Sequence, residues 1–203
     1  MKFKTILSFL LLAVLSLPFA AVADTPGEGD KVIRAADFET YREQAKEGDP
    51  EAMRCMALCL FNGVGCEPDS VAAMKWYGRA ASHGSHEAQY DLACMYRDGH
   101  HLKQSDTEAA YWFRKAASNG HVLSQLNIAR CFEQGKGVLQ DDRIAFENYY
   151  RAADQGNVEA QYSLGRMYRD GKGTKKDKAK AKRWFLKAAE QNYKDAALQA
   201  ANL

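Results

Sequence analysis

Net charge is almost absent from this chain of 203 residues: 28 lysines and arginines stand against 26 aspartates and glutamates, a formal balance of +2. So small a surplus argues against a general nucleic-acid binder, which needs a broad positive field to engage phosphates. A second long apolar run is missing too. One stretch, from Ile6 to Phe19, is broken only by Ser8, Ser16 and Pro18, and no later segment is apolar enough to span a bilayer. The familiar catalytic signatures are also lacking. The chain has no Gly-x-Ser-x-Gly elbow, no phosphate-binding glycine loop, no His-Glu-x-x-His and no carboxylate pair of defensible geometry. Their absence moves the weight from catalysis to binding, with no metal or cofactor expected.

What is present begins at the N-terminus. Met1-Lys2-Phe3-Lys4 supplies a basic start, the run after it an apolar core, and Ala21-Val22-Ala23 a small-x-small triplet. These are the parts of a secretory signal peptide spanning 1–23, with cleavage before Asp24. The apolar core of about 14 residues falls short of the ~20 that cross a membrane. The reading predicts a periplasmic or secreted protein. No cysteine lies near the cut, which argues against a lipid anchor. Removing Lys2 and Lys4 with the signal brings the formal charge to zero, but the remaining charge is unevenly placed. Residues 24–51 hold nine acids and four bases, and residues 166–187 hold ten bases and two acids.

Comparing the chain with itself shows a period of 36 residues. Gly84, Gly120 and Gly156 recur at that interval, continued by Asn192, and so do Gly63, Gly99, Gly135 and Gly171. Ala73, Ala109, Ala145 and Ala181 keep the same register, as do Met56, Leu92, Ile128 and Leu164. The aromatic series are Leu60, Tyr96, Phe132 and Tyr168, then Tyr77, Phe113, Tyr149 and Phe185, then Trp76, Trp112 and Trp184, with Asn148 in the gap. Each unit reads as helix, turn, helix. In residues 85–120, Ala88, Leu92, Met95 and Tyr96 form one helical stripe, and Ala109, Trp112, Phe113, Ala116 and Ala117 a second. Gly99 and Gly120 stop the two helices, and Ser105 or Asp106 caps the second. One such hairpin cannot bury its own stripe, so neighbours must stack. The expected fold is an all-α solenoid of antiparallel helix pairs: repeats at 49–84, 85–120, 121–156 and 157–192. A capping helix precedes them at 34–48, another follows at 193–203, and residues 24–33 form a flexible lead.

The fourth unit carries a family pattern. Ala160, Leu164-Gly165-x-Met167-Tyr168 and Gly171-x-Gly173 are followed by Asp177, Ala181 and Trp184-Phe185-x-Lys187-Ala188-Ala189-x-Gln191. This resembles the Sel-one-like repeat, a relative of the tetratricopeptide repeat with a slightly longer period, and the resemblance covers 49–192. Two departures stand out. Ala57, Ala93 and Ala129 replace a glycine of the pattern, and His100-His101 replaces the glycine-rich turn of the second unit, which predicts a rebuilt turn. The resemblance implies a right-handed superhelix acting as an adaptor in the bacterial envelope. A protein neutralising a toxin or lipase is a second reading, and a hydrolase or β-lactam-binding protein a third. Cysteine-rich relatives close a disulfide in each repeat; no such pattern recurs here.

In a solenoid of helix pairs the first helices line the concave face. The helix face opposite their buried stripe carries Arg54, Leu58 and Phe61; Tyr90, Cys94 and Arg97; Leu126, Arg130 and Glu133; and Tyr162, Arg166 and Arg169. Arginine forks match carboxylates, and tyrosine adds apolar area with a polar tip. The expected partner is therefore another protein, held by an acidic segment or a chain-terminal carboxylate. The competing reading is an ordinary solvated helix face.

Three further groups are weaker. Lys175, Lys176, Lys178, Lys180, Lys182, Arg183 and Lys187 form a basic run that reads first as a solvated cap and second as a contact for anionic lipid or an acidic partner. His83, His86, His100, His101 and His121 are spread over turns and helix starts and read as solvated. Five cysteines in an exported chain predict some pairing. Cys59 and Cys131 sit on the buried stripe, Cys59–Cys66 is the expected bridge, and Cys55 competes for Cys59.

Overall fold

Side-chain caps cut the chain into helices of equal length. The computed structural model describes residues 33–193 and 195–203. The expected signal peptide, and the expected lead apart from Ile33, lie outside the described residues. A 3-10 turn at Ala35–Asp37 leads into α1 (Phe38–Lys46). The first helices of the units are α2 (Pro50–Asn62), α4 (His86–Asp98), α6 (Val122–Gln134) and α8 (Val158–Asp170). The second helices are α3 (Ser70–Ser82), α5 (Asp106–Ser118), α7 (Asp142–Asp154) and α9 (Lys178–Glu190). Each of these spans 13 residues, about 20 Å of rise. A short α10 (Ala196–Ala201) follows.

The equal lengths follow from equal punctuation. Asp49, Ser85, His121 and Asn157 each accept a hydrogen bond from a backbone N–H in the first turn of their helix. Asp69, Ser105, Asp141 and Asp177 do the same for the second helices. Each cap is worth about 1 kcal/mol. The first helices end on Gly63, Gly99, Gly135 and Gly171, all with φ between +69° and +74°, where a Cβ would be strained.

Neighbouring helices pack in chain order, α2 on α3, α3 on α4 and so on to α10, and among the described residues there is no strand. The molecule is an all-α solenoid of antiparallel helix pairs. Its core repeats with the sequence. Ala73, Ala109, Ala145 and Ala181 are at most 2% exposed, and Tyr77, Phe113, Tyr149 and Phe185 at most 1%. The alanines let the helix backbones approach, and the rings fill the space beside them. Removing such a ring costs about 3–5 kcal/mol. The glycine at 165 has a local reason: a Cβ there would reach the Phe185 ring at 2.8 Å.

The inter-helix loops use a second glycine. A Cβ on Gly137 would collide with the Asp106 carbonyl, and one on Gly173 with that of Asp142. The loop therefore lies against the start of the preceding second helix. In the second unit this place belongs to His101, held at φ +57° with its ring edge-on to Phe61, 5.0 Å between centroids. The turn is rebuilt around a strained residue.

Candidate functional site

Successive first helices are tied together by arginines. Arg54 Nε on α2 donates to Asp91 Oδ2 on α4 at 2.9 Å, and Arg54 also lies 3.6 Å from Glu51 on its own helix. Burial opposes the Arg54 charge, but Asp91 more than offsets it and raises the guanidinium pKa above its usual value. On α4, Arg97 grips Asp98 through Nε and Nη2, both at 2.8 Å, and donates from Nη1 to Asn127 Oδ1 on α6 at 3.3 Å. Arg169, two units on, repeats the device, with Asp170 beside it and Gln199 Oε1 on α10 at 2.7 Å. On α6, Arg130 pairs with Glu159 of α8. In the reverse direction Arg166 Nη2 of α8 donates to Glu133 Oε1 of α6 at 2.8 Å. Glu133 also accepts from the Tyr149 hydroxyl at 2.7 Å. Burial and that carboxylate hold the Tyr149 phenol well above its usual pKa.

The twelve residues of the expected partner-binding face thus fall into distinct environments. Arg97, Arg130, Arg166 and Arg169 keep side-chain exposures of 43%, 37%, 41% and 34%. Tyr162 is half-buried and donates to Asp195 Oδ1 at 2.9 Å. Arg54, Leu58, Phe61 and Tyr90 are half-buried too, and Tyr90 lies against the rings of Phe113 and His121. Cys94 and Leu126 are each only 4% exposed and belong to the core instead. The face opposite the stripe is not wholly open, and side chains of the next first helix reach across to it, Asn127 to Arg97 and Glu159 to Arg130. Burial pushes the Cys94 thiol up to about 11, against the pull of Arg97.

Sequence reasoning named the arginines and Tyr162 and missed what they hold: Asp91, Asn127, Glu159 and Gln199 for the arginines, Asp195 for Tyr162. One signal was available. Arg97-Asp98 and Arg169-Asp170 recur in register, and each has an amide side chain 30 residues further on.

The junction of the second and third units holds a cavity of about 300 Å³. Arg97, Arg130, Asn127 and Lys136 line it on the polar side, and Phe113 and Ala109 on the apolar side. Cys131 lines it as well and is only half-buried, so it is not the core residue the stripe predicted. Cys59, by contrast, is fully buried, and burial raises its thiol to about 11. Cys59 and Cys66 are both thiols in the structure, not a bridge; the Cys66 thiol donates to the Cys59 carbonyl at 3.6 Å.

His121 departs from the solvated reading. It is mostly covered, and its Nδ1 accepts from the Ser124 N–H at 3.2 Å as the cap of α6. Burial holds its pKa down to about 4, ahead of the opposing pull of Glu87. His86 is more open and lies 2.9 Å from Glu87. Among the described residues no three of His, Cys, Asp and Glu converge as a metal site. In the basic run, Lys180 faces Asp177 at 3.6 Å and Lys187 lies over the Trp184 ring, while Lys175, Lys176, Lys178 and Lys182 are exposed.

Comparison with known proteins agrees with this architecture. The family model for the Sel1 repeat matches residues 50–85, 86–121, 122–157 and 158–193. A protective antigen of uropathogenic Escherichia coli displaying an SLR fold is 32% identical, with a TM-score of 0.70 over 76% of this chain and 33% of its own. A Sel1 repeat protein from Oxalobacter formigenes is 27% identical, with a TM-score of 0.66 over 80% of this chain and 64% of its own. The chain therefore spans a third of the first relative and under two thirds of the second. No curated protein matches the sequence. With four consecutive matched units and a stacked helix-pair fold, the chain belongs to the Sel1 repeat family.

Proposed function

We propose that the chain is an exported interaction scaffold that binds a partner protein along its first-helix face, taking an acidic segment or a chain-terminal carboxylate. The Sel1 repeat scaffold supports a role in protein–protein interaction. The observation that carries the finer reading is the state of Arg130 and Arg166. Each spends one nitrogen, Nη2, on an internal carboxylate. Each keeps more than a third of its side chain exposed. A guanidinium has five N–H donors in a fixed fork. The internal carboxylate therefore orients the fork while other donors still point outward, and a fork oriented in advance loses less entropy when a second carboxylate arrives. Export rests on the N-terminal sequence. Among the described residues no helix is long and apolar enough to cross a membrane.

The test uses the mature chain as bait on an envelope extract, followed by affinity measurement with the captured partner. Replacing Arg97, Arg130 and Arg166 with glutamine, in a variant whose helical circular dichroism is unchanged, should weaken binding at least tenfold. Unchanged affinity in that folded variant would refute the reading.

A further inference from the structure

The cavity between the second and third units lies where two variable positions of the repeat meet. The ring at this position is Tyr77 in the first unit and Tyr149 in the third; here it is Phe113, with no hydroxyl, as it is Phe185 in the fourth. The Tyr149 hydroxyl occupies its junction by donating to Glu133. At the position of Cys131 the chain has Met95 one unit earlier, Met167 one unit later and another cysteine, Cys59, in the first unit. A phenyl and a cysteine meet at this junction, where the junctions on either side pair a phenol with a methionine, and a space of about 300 Å³ lies beside them.

The polar groups around this space are not those of an incidental void. Arg97, Arg130 and Lys136 line it against a single acid, Asp106. Arg97 is fixed from outside by Asp98, and Arg130 by Glu159, neither of which lines the cavity. Lys136 makes no ion pair among the described residues. The Arg97 guanidinium also lies over the Phe113 ring, 5.9 Å from its centroid, so the charged side and the apolar floor adjoin. We infer that this junction is a binding pocket for one carboxylate-bearing group with a short apolar body. Its volume suits a single amino-acid residue or a small organic acid, near the lower limit for ligand pockets. The carboxylate meets Arg130 and Lys136, and the apolar part rests on Phe113.

This deepens the scaffold reading by naming one anchor on the first-helix side, and it stands or falls separately. The probes are N-acetylphenylalanine, its amide, and a heptapeptide ending in phenylalanine as free acid or amide, titrated into the full chain by nuclear magnetic resonance. Both free acids should give saturable shifts at Asn127 and Arg130, and the amides should bind at least tenfold more weakly. A peptide acid that binds tenfold tighter than the small acid identifies a partner's chain end as the source. Equal affinity identifies a free organic acid. The paired substitution Phe113→Tyr and Cys131→Met installs residues the chain already uses in register, so the fold should persist while the shifts vanish. Equal binding of acid and amide, or full binding by the folded double variant, overturns the proposal. The arginine-to-glutamine series with a captured partner would still report on the rest of the face.

Discussion

Arg54 on α2 and Asp91 on α4 form the most enclosed of the ties between first helices, with their side chains 15% and 13% exposed. Breaking a pair held this far from water leaves a charge without its partner, which costs more than the pair contributes. Asp91→Ala should therefore lower unfolding stability in urea by about 2–4 kcal/mol. Arg54→Met with Asp91→Leu should recover most of that loss. A cost for Asp91→Ala below about 0.5 kcal/mol, the range of an exposed pair, would show that the tie is solvated.

The loop glycines separate two kinds of cost. Gly84 has φ +100° and open space where a Cβ would go. Alanine there should cost only the backbone strain, about 1–2 kcal/mol. Gly137 has φ +69° and the Asp106 carbonyl in the way. Alanine at 137 adds displacement of a helix start to the same strain and should cost at least about 3 kcal/mol. Thermal or urea unfolding of the two variants, compared side by side, checks the ranking.

Thiol reactivity reads the same packing from another direction. Burial raises Cys59 and Cys94 to about 11, and the two are at most 4% exposed. Cys66 is raised as well, first by burial and then by Glu67, but it remains partly open to solvent. Reactivity follows thiolate fraction and access together. In the reduced native protein iodoacetamide at pH 8 should label Cys66 well before Cys59 or Cys94, and urea should level the rates. Peptide mass spectrometry gives the order. Preferential labelling of Cys59 would contradict the buried stripe.

The helix pairs were legible because they depend on local signals that recur: apolar spacing, a capping residue and a terminal glycine, each in a 36-residue register. Gly63 and Asp69 announce a helix stop and start without reference to anything distant. The arginine ties were not legible in the same way. Arg130 and Arg166 occupy one register, yet one reaches forward to Glu159 and the other back to Glu133. That choice depends on which neighbour is acidic, and the identity of the residue alone does not contain it. Cys94 and Leu126 were misplaced for a related reason. A single-helix wheel divides a helix into two faces, whereas each first helix here packs between its own partner and the helix before it and is also tied by side chains to another first helix.

His121 gives the stability a pH dependence that a hydroxyl or amide cap at the same register does not have. Among its equivalents, Ser85 and Asn157 cap with a hydroxyl and an amide, which do not titrate. An imidazole caps only while neutral, because Nδ1 must accept the Ser124 N–H. Its folded pKa, about 4, lies below the unfolded value of 6.5. The unfolded chain therefore takes up the proton first. The contribution is fully present above pH 6.5 and is lost progressively as pH falls to 4. The loss attributable to this residue should be about 1–3 kcal/mol. His121→Asn keeps a cap of the kind used at Asn157 and removes the titration. Urea unfolding of both proteins at pH 7.5 and pH 4.5 should give similar stabilities at the higher pH and a more stable variant at the lower. Parallel declines in the two proteins would mean that His121 is hydrated in solution and takes up its proton without disturbing the start of α6.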